Sequence, residues 1–71
     1  MSIFSFSDEV AREIQSAACA TDVASRISHV ELAVLHFEAS GQAPDDPGRC
    51  RQMIETAVAA QIAFAAEQDD A

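Results

Sequence analysis

Apolar and small residues recur at steps of three and four from Val10 to Ala39. One stripe takes in Val10, Ile14, Ala17, Thr21, Ala24, Ser28, Leu32, Leu35 and Ala39, with large side chains at its ends and small ones in its middle. That spacing keeps to one side of a continuous α-helix. A second stripe, Val23, Ile27, Val30, Val34 and Phe37, lies well around the helix from the first and covers only its C-terminal half. All the glycine and proline falls between Gly41 and Gly48, which marks a single clear break. Beyond it, Cys50, Met53, Ile54, Ala57, Val58, Gln61, Phe64 and Ala65 form the inward face of a further helix.

The boundary signals agree with this reading. Ser7 or Ser5 can cap the first helix, with Asp8 and Glu9 at the positive end of its dipole. Gly41 supplies the left-handed position after a stop near Ser40. Asp45-Asp46-Pro47-Gly48 reads as an acidic cap with proline at the first helical position. Asp69 and Asp70 oppose the dipole at the far end, so the tail is expected to fray.

The expected fold is all-α, in one domain spanning 1–71. An apolar arm (1–7) leads into a first helical region (8–40), a turn (41–46), a second helix (47–68) and a short tail (69–71). A connection that short implies antiparallel neighbours, hence a helical hairpin with a long first helix and a shorter second one. The second helix covers Val23 to Phe37 and leaves the first stripe over. A homodimer would then bury Val10, Ile14, Ala17, Thr21, Ala24, Ser28, Leu32 and Leu35, since a surplus apolar face marks an interface and symmetric dimers are the commonest assemblies. The alternative is a three-helix monomer broken near Ala20–Asp22, with Thr21 or Asp22 as cap and Val10, Ile14 and Ala17 folded onto Leu32 and Leu35. No glycine or proline marks that break, which favours the continuous helix.

Composition narrows the function. The chain has 71 residues and a net charge of -8; four arginines are its only strong cations, and it has no lysine, tyrosine or tryptophan. A chain this short buries only about 60% of its unfolded surface, so a deep self-contained active site is not expected. The acid excess argues against direct binding to nucleic acid, which needs a cationic footprint, and against anionic membranes. The start lacks a basic, apolar leader, and no window approaches a membrane span, so a cytoplasmic location is expected. Cys19 and Cys50 then read as reduced thiols. On the hairpin they lie at opposite ends, too far apart for an intrachain disulfide.

Candidate chemistry is sparse. His29 and His36 share a helix face but stand two turns apart, about 10 Å, too far to bind one metal within a chain. Glu31 and Glu38 have the same separation and read as a solvated edge rather than an acid/base pair. No phosphate loop or nucleophile motif is present, so neither enzyme activity nor a cofactor is expected. Gln61 interrupts an apolar face, either as a polar core position or as its edge. Ile3, Phe4 and Phe6 form an apolar cluster that either closes the bundle or anchors a partner. In size and class alone the chain is similar to small bacterial and phage proteins that act by binding, such as secretion co-chaperones and inhibitors of host proteins. The expected function is a non-catalytic, acidic interaction module that regulates, inhibits or chaperones another protein bearing a basic patch. The alternative is a small metal- or ligand-binding bundle using His29, His36 and a cysteine.

Overall fold

The computed structural model describes residues 6–69. It holds three helices, α1 (Asp8–Cys19), α2 (Val23–Ala39) and α3 (Pro47–Asp69), and no strand among the described residues. The all-α expectation holds. The continuous first helix does not: the chain breaks between Cys19 and Val23, at the site of the three-helix alternative.

The break is built without glycine or proline. Ala20 is extended (φ -62°, ψ 140°) and so is Asp22 (φ -134°, ψ 160°). The Asp22 carboxylate accepts from the Ser25 N–H at 3.4 Å and so caps α2. The Ala20 N–H donates back to the Ala17 carbonyl at 3.3 Å. Nothing basic lies in the last turn of α1 itself. Arg26, one turn into α2, takes that place: its Nε donates to the Ala17 carbonyl and its Nη2 to the Ala20 carbonyl, both at 3.2 Å. A guanidinium thus satisfies carbonyls that a helix end leaves unpaired and faces the negative end of the dipole.

The reversal makes α1 and α2 antiparallel. Glu13 meets His29 Nδ1 at 2.8 Å and Glu9 meets His36 Nδ1 at 3.4 Å, so the heptad spacing of the histidines is matched by two acids one turn apart on α1. The other caps follow their sequence signals. Ser7 Oγ accepts from the Val10 N–H, and Ser5 lies outside the described residues. Gly41 takes φ +78°, where a side chain would be strained, and its N–H donates to the Glu38 carbonyl. Asp46 Oδ1 accepts from the Gly48 N–H at 3.0 Å, immediately after Pro47 opens α3.

The core explains why the chain turns. Val10, Ile14 and Ala17 of α1 pack with Val30, Ala33 and Phe37 of α2 and Cys50, Ile54 and Val58 of α3. Burying Val10 and Ile14 stabilises the fold by about 1.5–3 kcal/mol each, more than a three-residue interruption costs when both helix ends are capped. This corrects the expected dimer stripe. Val10, Ile14 and Ala17 lie inside their own chain, while Thr21, Ala24, Ser28, Leu32 and Leu35 face outward. The packing expected within the three-helix alternative is also revised, because α1 meets Val30, Ala33 and Phe37 rather than Leu32 and Leu35. Phe6 closes one end of the bundle, edge-on to Phe37 with ring centroids 5.1 Å apart.

Both cysteines are free thiols, Cys19 exposed and Cys50 buried. Burial pushes the Cys50 thiol above its ordinary range, and the nearby Glu38 carboxylate adds to this while Arg51 partly opposes it.

Three outcomes follow from these contacts. Replacing Arg26 with Gln should lower unfolding stability by about 1–2 kcal/mol, because two hydrogen bonds from a charged donor are lost at the α1 terminus; urea titration with circular dichroism measures it. For Cys50, the folded state favours the protonated thiol. Its contribution is therefore complete below the ordinary thiol range, about 8.5, and is lost as pH rises through the elevated folded value. The chain has no lysine or tyrosine to titrate in the same window. Stability should fall as pH rises above the ordinary thiol value of about 8.5, and Cys50→Ala should flatten that slope whatever its effect at neutral pH. A native-state thiol assay should modify Cys19 quickly and Cys50 only after unfolding.

Candidate protein-docking groove

The core occupies only part of the bundle. Along α2, exposure rises from 7% at Val30 to 50% at Ile27 and 71% at Val23; along α3 it rises from 4% at Val58 to 36% at Ile62. Between these two stretches lies a groove of about 290 Å³. Ile27 and Val30 of α2 and Val58, Ala59 and Ile62 of α3 form its apolar lining, with Arg26, Arg51 and Glu55 at its polar margin. Two of the chain's four cations thus border this groove, against an overall charge of -8. Arg26 is already engaged with α1, whereas Arg51 makes no hydrogen bond or ion pair among the described residues.

On α3, burial stops well before the helix does. Its buried positions end at Val58, yet the helix continues to Asp69, and residues 59–67 are all exposed. The inward face expected for this helix is therefore half right. Cys50, Ile54 and Val58 are buried, and Met53 and Ala57 are half-buried. Gln61, Phe64 and Ala65 are exposed, so Gln61 is not a buried polar position.

The remaining candidates separate clearly. Leu32 and Leu35 are 42% and 61% exposed on the outside of α2, away from the groove lining. Phe6 belongs to the core margin, and Ile3 and Phe4 lie outside the described residues. His29 and His36 are paired to separate glutamates, and no group of three or more histidine, cysteine, aspartate or glutamate side chains among the described residues is arranged to hold a metal ion. No described helix is long and apolar enough to cross a membrane.

Two features escaped the sequence reading. Ala33, fully buried, falls between the two stripes, although Val30-Ala33-Phe37 keeps the three-then-four spacing of a helix face. Arg26 gave no signal as a cap, because it serves a helix that ends seven residues before it.

No protein-family model, curated protein or solved structure matches this chain.

Proposed function

We propose that the chain is a non-catalytic binding module whose α2–α3 groove receives an apolar segment of another protein. The observation that carries this reading is the exposure of Ile27 and Ile62 on opposite sides of one groove. Apolar side chains gathered in a concavity, rather than scattered singly, are what a docking surface requires. The lining offers two guanidiniums and one carboxylate, and no serine, cysteine or histidine that could act as nucleophile or base. The surrounding acidic surface would steer a partner bearing a basic patch, so that binding weakens as salt is added. Such a module regulates, inhibits or shields its partner by covering surface rather than by altering bonds.

Capture from native lysate with wild-type bait, followed by titration of the captured protein, tests this. Ile27→Asp and Ile62→Asp should each weaken binding by about tenfold or more, since a carboxylate would be placed against an apolar contact. Leu35→Asp, on the outer face of α2, should leave it unchanged. A partner that binds all three variants as tightly as wild type would overturn the assignment of the groove.

A further inference from the structure

We infer that the groove takes an amphipathic helix of the partner that carries an aspartate or glutamate beside its apolar anchors, the carboxylate pairing with Arg51. This rests on the reading of the groove as a docking surface and names the chemistry of what enters it.

The charge at the groove runs against the charge of the chain. Twelve acids against four arginines give the chain its -8, yet the groove margin holds two arginines and one glutamate. Neither guanidinium is in an ion pair among the described residues. Arg26 donates to the carbonyls of Ala17 and Ala20, which are neutral acceptors and leave its charge uncancelled. Arg51 is exposed, and Glu55, one turn along α3, makes no ion pair with it. An occupant that covered this margin with apolar groups alone would strip water from a guanidinium and give nothing back, which is costly. An occupant that brings its own carboxylate meets that demand and gains a charge-assisted hydrogen bond.

The form of the occupant follows from what the lining lacks. No strand is present among the described residues, so no sheet edge is offered to an extended segment. Beyond Arg26, Arg51 and Glu55, the lining side chains are apolar. An extended segment would bury unpaired N–H and C=O groups against them, whereas a helix pairs its own. A small amphipathic anion fits less well. Small-molecule sites enclose about 70–90% of their ligand, and this is an open trough whose walls, Ile27 and Ile62, are 50% and 36% exposed. Arg51 lies seven residues before Val58, about 10 Å along α3. A helix laid along α3 therefore carries its acid about one to two turns from the anchors that meet Val58 and Ile62. The acidic surface outside the groove still favours basic residues elsewhere on the partner, so the two signs are read at different places.

Selection from a phage-displayed library of random helix-forming peptides on the full chain, with the Ile27→Asp protein as counter-selection, tests this. Peptides retained by the wild type alone should combine apolar residues at helical spacing with an aspartate or glutamate. For a retained peptide, calorimetry should show binding weakened about tenfold when its acid is changed to the amide. Arg51→Gln should weaken it by a similar factor, and both changes together by no more than either alone. Glu55→Gln should tighten binding by about twofold, while Glu31→Gln, the same charge change off the lining, should leave it unchanged. Arg51 and Glu55 are exposed, and circular dichroism checks that helix content is retained. Retained peptides with basic residues or no charge preference, or losses that add in the double change, would overturn the acidic helix and leave the apolar docking groove standing. If no retained peptide depends on Ile27, the groove itself fails and this inference with it. Saturable binding of decanoate with no peptide retained, or a dimer of the chain that Ile62→Asp separates, would each give the groove another occupant and overturn the proposal.

Discussion

A helix cannot fold its own two halves against each other, and the geometry of this chain follows from that constraint. Val10, Ile14 and Ala17 can reach Val30, Ala33 and Phe37 only if the backbone reverses between them. The reversal occupies three residues, Ala20 to Asp22, and is secured by groups drawn from both sides. Asp22 starts the new helix, while Arg26 completes the old one with two hydrogen bonds. Once the turn is made, the glutamates of α1 meet the histidines of α2, the core closes, and α3 is laid across both helices.

The all-helical character, the 41–46 turn and the start of α3 were legible because each rests on local chemistry: Gly41 at positive φ, proline at the first helical position, an acidic cap before it. The break at Ala20–Asp22 was visible only as an alternative. Its cap, Asp22, is a weak mark, and the decisive forces are tertiary: burial of α1 and a guanidinium reaching back from the next helix. Periodicity also misjudged which face of α2 is inside. Leu32 and Leu35 carry more apolar surface than Ala33, yet Ala33 is buried and both leucines are exposed. The close approach of three short helices favours a small residue there, and size along a stripe does not reveal that.

The groove was not legible as a site. Its lining joins Ile27 and Val30 to Val58, Ala59 and Ile62, which belong to different stripes on different helices. What sequence reading did find was surplus apolar surface on an acidic chain. The structure relocates part of that surplus, sending the α1 end of the first stripe into the core and leaving Ile27 and Ile62 at an opening. Marginal size sharpens the consequence, because a domain this small has few contacts to spare for covering the far end of α3.

Arg26 belongs to two structures at once. Its guanidinium holds the carbonyls that end α1, and its side chain also lines the groove between α2 and α3. Those sites therefore share a single cation. A carboxylate that draws Arg26 toward the groove takes hydrogen bonds from the α1 terminus, and a tighter hold on that terminus withdraws the cation from an incoming acid. Thermodynamic linkage makes the exchange reciprocal: whatever free energy the hinge gives up when the groove is filled, the groove gives up when the hinge is locked.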